Sequence, residues 1–313
     1  MKFIITVDTE ADNQWKISNK LSLDNIKYLS RFQKLCQDYN FIPTYLLTYE
    51  VASDEESVLF FKRLVDEGKA EIGAHLHTWT TPPFAGEEME EMTRRPFLSE
   101  LTDEQLKLKL ENLTLKIKEN FGFSPISFRA GRWDFDSRLV SILNDLNYEV
   151  DCSATPKIMW KNRDNYFYKS SINPFKLGDS SLLEIPVSII YTGIFVKESS
   201  SISGLFLRLN DGFLKKVINR FFLKLSWCRI FPETKSADLI NVFKSASRNN
   251  LPVLEFMIHS SELMPGGSPY FKTKESIDSL YFNLEVFFKY LSSNNVEGSG
   301  LVDFSKKFSS KIS

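Results

Sequence analysis

Histidine is used sparingly in this chain: three in 313 residues, at His75, His77 and His259. Imidazole is the commonest protein ligand for zinc-like metals and the side chain that titrates nearest neutral pH. Two of the three share the run Glu71-Ile72-Gly73-Ala74-His75-Leu76-His77-Thr78-Trp79, and the third ends Phe256-Met257-Ile258-His259. Each stands where an apolar run gives way to a loop. A hydrogen-bonded cap on a strand would explain any one of them alone; three in the same setting point to chemistry. A second concentration is Asp8-Thr9-Glu10-Ala11-Asp12, three carboxylates in five residues. Like charges held that close raise one another's pKa, and a cation or an arginine relieves the strain; the bland alternative is a solvated acidic turn. The third is Arg129-Ala130-Gly131-Arg132-Trp133, and Asp151 follows a further short apolar run.

Two neutral imidazoles and one carboxylate suffice to hold a catalytic divalent ion, with positions left for water and substrate. A second carboxylate serves as general base on the attacking water, and a further histidine protonates a leaving nitrogen. Arg129 is placed to orient that base and keep it ionised. The parts describe metal-assisted hydrolysis of an amide or ester.

These residues need elements to position them. Apolar runs predict strands at 2–7, 44–49, 70–72, 126–128, 148–150, 182–187, 253–258 and 300–302. Helical spacing predicts helices at 22–39, 54–68, 103–120, 136–146 and 274–292; Thr102 and Gln105 form a capping box before the third, and Gly122 ends it. Strands alternating with helices predict parallel βα units closing into a barrel. Asp8, Glu10, His75, His77, Arg129, Asp151 and His259 all then fall at the C-terminal rim, where barrel enzymes place their chemistry. Residues 157–181 and 190–235 read as insertions on that rim. Within the second, 205–225 is an amphipathic helix with Lys215, Lys216, Arg220 and Lys224 opposite its apolar face. It offers a face for an anionic membrane or a lipid-linked substrate, but packing on its own barrel is the expectation.

Composition limits the class. With 42% hydrophobic residues and a net charge of −1, the chain reads as an ordinary soluble globular protein, with no electrostatic case for nucleic acid; with no internal repeat or low-complexity linker, the expectation is one catalytic barrel domain, 1–313. Three scattered cysteines (Cys36, Cys152, Cys228) form neither a disulfide framework nor a CxxC site. The first residues enter a strand without a leader pattern, and no run of about 18 apolar residues occurs. The expectation is a cytoplasmic protein.

The order Val7-Asp8-Thr9-Glu10, His75-x-His77, Arg129-x-Gly131-x-Trp133, Asp151, His259 resembles the five motifs of the polysaccharide deacetylases of the NodB-homology type, carbohydrate esterase family 4. The strings His75–Trp79 and His259–Tyr270 resemble its WalW-like branch, associated with lipopolysaccharide and O-antigen clusters. The likeness spans about residues 3–270. It implies a distorted (β/α)7 TIM-like barrel that removes N-acetyl groups from amino sugars with Zn²⁺ or a similar ion. The substrate would be a sugar nucleotide, a lipid-linked sugar or an oligosaccharide. By position Asp8 is the base, His259 the acid, Arg129 the arginine on the base and Asp151 the residue tuning both. His75, His77 and Glu10, with Asp12 behind it, are the metal ligands. Trp79, Gly131, Arg132 and Trp133 are the substrate contacts, with backbone N–H groups near Gly131 and Arg132 for an oxyanion. Asp8 and His259 are expected on opposite sides of the scissile bond. Two positions depart from the family: Thr9 stands where a metal aspartate follows the base, and Trp79 where the second histidine falls. Another amidohydrolase acting on a small amide, and a glycan-binding homologue without activity, are the alternative readings.

Overall fold

The computed structural model describes residues 1–18, 20–84, 89–161, 165–193 and 224–312. Its strands, in chain order, are β1 (Lys2–Thr9), β2 (Pro43–Leu47), β3 (Glu71–Leu76), β4 (Ser127–Ala130), β5 (Val150–Asp151), β6 (Phe175–Lys176), β7 (Leu183–Glu184), β8 (Ile189–Thr192), β9 (Lys224–Trp227), β10 (Val253–His259) and β11 (Glu297–Gly298). Among the described residues they form a curled nine-stranded sheet and a separate two-stranded ribbon, β8–β9. Strands β10, β1, β2, β3, β4, β5 and β7 lie side by side in that order and pair in parallel. Only β6 runs against them, on β7.

The two-residue period of a strand sends alternate side chains to opposite faces. On β1, Phe3, Ile5 and Val7 join the large outer core, together with Phe32, Phe61, Leu110, Phe243 and Phe287 from the surrounding helices. Ile4 faces the barrel interior, packed with Leu46, Val150, Leu183, Val253, Leu301 and Phe304. Both faces are thus buried, as a parallel sheet requires. Among the described residues no strand pairing joins β7 to β10. There the ribbon fills in: Cys228 N–H donates to Ser188 O (2.8 Å), and Met257 N–H to Cys228 O (3.3 Å). This gap distorts the (β/α)7 barrel.

Helices run at Leu29–Asp38, Glu55–Asp66, Asp103–Phe121, Arg138–Asp145, Ser236–Arg248, Lys274–Ser293 and Leu301–Ile312. Thr102 and Gln105 form the expected capping box, and Gly122 (φ 84°) takes the left-handed turn that ends that helix. The predicted helix 22–39 opens with a 3₁₀ turn at Asp24–Tyr28. The strand predicted at 44–49 stops at Leu47, because Tyr49–Ser53 is already helical.

One element is corrected outright. Of residues 300–302, expected as a strand, Leu301 and Val302 begin the last helix and Gly300 precedes it. The cause is Glu71, whose half-buried carboxylate accepts Val302 N–H (2.9 Å) and Asp303 N–H (3.2 Å), an acceptor at a helix N-terminus. Gly300 makes room for it, since a Cβ there would lie 2.1 Å from Glu71 Oε1. Of the predicted helix 205–225, residues 205–223 lie outside the described residues, and Lys224 and Leu225 belong to β9 instead. Of the rim insertions, 165–181 carries turns and β6.

Candidate active site

Strand register gathers the site. Asp8 on β1 is the direct neighbour of His259 on β10, and His75 on β3 of Arg129 on β4. Arg129 is fully buried. Its Nη1 donates to Asp8 Oδ1 (2.6 Å), Nη2 to Glu255 Oε1 (2.9 Å) and Nε to Cys152 O (2.9 Å). Burial pushes the Asp8 carboxyl up, but the Arg129 charge, then His75 and His259, outweigh it and hold Asp8 down at about 2. Asp8 is therefore an ionised, oriented base at neutral pH. Burial raises Glu255, against the pull of Arg129. Thr6 hydroxyl donates to the same Glu255 oxygen that Arg129 touches.

Beside this pair, Glu10, His75 and His77 present ligand atoms that all lie within 4.8 Å of one another. His77 Nε2 is 2.8 Å from Glu10 Oε2. His75 Nδ1 is 3.0 Å from Arg129 O, so that nitrogen carries the proton and Nε2 turns a lone pair to the site, 3.9 Å from Asp8 Oδ2. Burial, only partly offset by the carboxylates nearby, lowers both imidazoles to about 4. They are neutral ligands at pH 7. Burial raises Glu10, against the pull of His259 and His75; a cation would relieve that. Three buried, converging donors of the N, N, O type fit a divalent ion such as Zn²⁺.

The alternative to Glu10 is occupied elsewhere. Asp12 Oδ1 accepts from the Asn25 backbone N–H (3.0 Å) and Nδ2 (2.6 Å). Thr9 hydroxyl is turned back on Val7 O (2.9 Å).

Three expectations are corrected by placement. Asp8 and His259 do not stand apart: Oδ2 and Nε2 are 3.8 Å from one another on adjacent strands. Asp151 does not reach the cleft or His259. Ser153 occupies both its oxygens (hydroxyl to Oδ1 2.7 Å, N–H to Oδ2 3.2 Å), and across the sheet it faces Glu184. Burial raises both carboxyls, Glu184 well above the usual range with Asp151 adding to it. Trp79 is not a wall of the cleft. It is fully buried beneath His77 (ring centroids 4.3 Å apart), and its indole N–H donates to Gln14 Oε1 (3.0 Å). An aromatic platform thus backs the imidazole.

The other expected contacts sit at the rim. Arg132 and Trp133 line the cleft in left-handed backbone (φ 56° and 59°), a costly conformation for residues with side chains. Gly131 packs against His77, where a Cβ would come 2.7 Å from Nδ1 and 2.2 Å from Leu76 O. The cleft measures about 390 Å³. Trp15, Trp133, Trp160, Trp227, Phe231 and Tyr270 wall it, so four of the five tryptophans face it. Sequence reasoning missed Glu255, Glu262, Arg229 and most of these aromatics. Glu262 and Arg229 meet at 3.0 Å beside His259.

Neither a family model nor a curated protein matches the chain. Solved structures do. A Mycobacterium smegmatis protein given the provisional name polysaccharide deacetylase superimposes with a TM-score of 0.58 at 13% identity, covering 99% of this chain and 92% of its own. A GH57 branching enzyme from Thermococcus kodakaraensis matches with a TM-score of 0.55 at 10% identity, over 98% of this chain and 71% of its own. A 4-alpha-glucanotransferase from Thermococcus litoralis matches at 0.51 and 10% identity, over 98% of this chain and 38% of its own. At such identities the likeness shows the fold, a distorted (β/α)7 barrel of the polysaccharide-deacetylase kind. The fold hosts more than one chemistry, so function is argued from the site.

Proposed function

We propose that the chain is a metal-dependent carbohydrate deacetylase that hydrolyses the N-acetyl group of an amino sugar. The observation that supports this reading best is the juxtaposition of two sets of residues in one aromatic-walled cleft. Glu10, His75 and His77 converge as ligands, and Asp8 and His259 flank them. Glu10, His75 and His77 would hold a divalent ion, Zn²⁺ in our reading, which would supply polarisation of a carbonyl and a lowered pKa for water. Asp8, kept ionised by Arg129, takes the proton of the attacking water. His259 gives a proton to the nitrogen as the C–N bond breaks. The attacking oxygen and leaving nitrogen sit on one carbon, so neighbouring acid and base suit the reaction better than residues set far apart. Backbone N–H groups at Gly131 and Arg132 are our candidates for holding the oxyanion. Aromatic faces at Trp15, Trp133, Trp160 and Trp227 suit flat sugar rings. The WalW-like motif strings favour a role in lipopolysaccharide or O-antigen biosynthesis.

The test is acetate release from N-acetylated amino sugars, free, nucleotide-linked and oligomeric, by protein loaded with Zn²⁺ and by protein stripped with chelator. Release that depends on the metal and is lost in Asp8→Asn is the expected result. Metal-loaded protein that binds these sugars yet releases no acetate would leave a glycan-binding homologue as the better reading.

A further inference from the structure

The ring of His259 is held by a side chain three residues downstream. Glu262 is fully buried, and its Oε2 accepts the His259 backbone N–H (2.9 Å) and lies 3.1 Å from His259 Nδ1. Its Oε1 accepts from Arg229 Nη2 (3.0 Å), and the same Nη2 is 3.0 Å from Nδ1. Nδ1 cannot both donate to the carboxylate and accept from the guanidinium. The carboxylate decides it: a buried anion beside a ring nitrogen favours a proton there, and Arg229 has an oxygen of the same carboxylate to donate to. His259 therefore carries Nδ1–H and turns Nε2 to Asp8 and the cleft (3.8 Å). Trp15, with its ring centroid 4.9 Å from that of His259, packs against the imidazole.

We propose that Glu262, braced by Arg229, is the positioning pair that fixes the tautomer and aim of His259, the place the sequence assigned to Asp151. Asp151 cannot fill it. Its oxygens are taken by Ser153, and among the described residues no hydrogen bond joins it to Asp8, Arg129 or His259. When His259 is protonated, Nε2–H passes to the leaving nitrogen as that atom receives the C–N electron pair. Nδ1–H stays on Glu262, and the ring returns to the neutral form it started from. The catalytic part of this inference rests on the proposed deacetylation; the structural part does not.

The experiment separates the two. ¹⁵N-histidine NMR of the Zn²⁺-loaded protein, without substrate, reads the tautomer of each of the three imidazoles. Wild type is expected to show Nδ1–H at His259, and Glu262→Gln a shift to Nε2–H, because Arg229 is then free to donate to Nδ1. An unchanged tautomer overturns the proposal whatever the activity. Kinetically, Glu262→Gln is expected to lower kcat on an N-acetyl amino sugar by roughly 10²–10⁴ with little change in KM. It should spare an activated aryl acetate, whose leaving group needs no proton. Equal loss on amide and ester overturns the positioning role. Wild type that cleaves neither would sink the deacetylase reading, while the tautomer would still decide the pair. Should Glu262→Gln fail to fold, Arg229→Gln replaces it: with the carboxylate kept, His259 stays Nδ1–H, and a switch to Nε2–H refutes the assignment.

Discussion

Arg129→Met takes a fixed positive charge out of the dry interior of the barrel. Asp8 and Glu255, 2% and 0% exposed, both lean on that guanidinium, and Cys152 O accepts from it. Removing one partner of a buried ion pair costs about 3–5 kcal/mol, because the charge left behind has nothing to face. Glu255 escapes part of that by binding a proton, since burial already raises it. Asp8 escapes less: starting from about 2 it must climb further before it is neutral. The loss is therefore set mainly by Asp8, and about 3–5 kcal/mol is expected at pH 7. Glu255→Gln, which keeps shape and replaces a group that favours its proton, is expected to cost less, about 1–2 kcal/mol.

Urea unfolding followed by tryptophan fluorescence and far-UV circular dichroism gives these differences by linear extrapolation. The double variant Arg129→Met/Glu255→Leu supplies the control. It removes one of the two orphaned carboxyls, so it should be less destabilised than the sum of its parts by about 0.5–3 kcal/mol. An Arg129→Met protein within about 1 kcal/mol of wild type would refute the reasoning, since a buried charge left without its partner costs about 3–5 kcal/mol. Strict additivity in the double variant would refute the shared-guanidinium account.

The proposed metal site can be tested directly. His75→Ala and His77→Ala should lose bound divalent ion by elemental analysis, whereas Asp12→Asn and His259→Ala should retain it; equal content in all four would remove the assignment. Gly131→Ala should cut metal affinity without replacing a ligand, since its Cβ would come 2.7 Å from His77 Nδ1 and 2.2 Å from Leu76 O. A dissociation constant equal to wild type would show that the imidazole can move aside. Stability should also fall in acid. Glu262, buried but held at about 2 by Arg229 and His259 against an ordinary 4.5, contributes stability that is complete above pH 4.5 and lost as the pH drops through about 2. Its size is on the order of 3 kcal/mol. Urea midpoints measured from pH 6 to pH 3 should therefore slope less in Glu262→Gln, and an identical slope would count against that carboxylate being ionised.

Much of this was legible in the residues. The scarcity of histidine and the strand-end placement of Asp8, His75 and His259 marked the cleft, because parallel strands carry their C-terminal ends to one rim. Trp79 and Asp151 were misplaced for a common reason. Motif position says which strand a residue follows but not which way its side chain points, and here one points under His77 and the other into a carboxyl pair with Glu184. The aromatic wall was hidden for another: Trp15, Trp160, Trp227 and Tyr270 come from four separate stretches of chain whose meeting depends on rim conformation. The helix start at Leu301 depended on Glu71, some 230 residues earlier, which no local propensity reveals.

Glu255 is the instructive omission, since its signal was present. β10 reads Val253-Leu254-Glu255-Phe256-Met257-Ile258-His259, and the period of two puts Val253, Glu255, Met257 and His259 on one face. β1 repeats the pattern with Ile4, Thr6 and Asp8. In register, Thr6 is opposite Met257 and Asp8 opposite His259, so the interior is a stack. Apolar Ile4 and Val253 lie at the closed end, Thr6, Glu255 and Arg129 above them, and Asp8, His75 and His259 at the mouth. A charge in an otherwise apolar strand, at even spacing inward from a residue at the mouth, has no solvent to reach. It must pair within the barrel, and the only cation at its depth among the described residues is the one that holds the base. The even spacing from His259 puts Glu255 on the interior face, where its pairing with Arg129 supports Asp8.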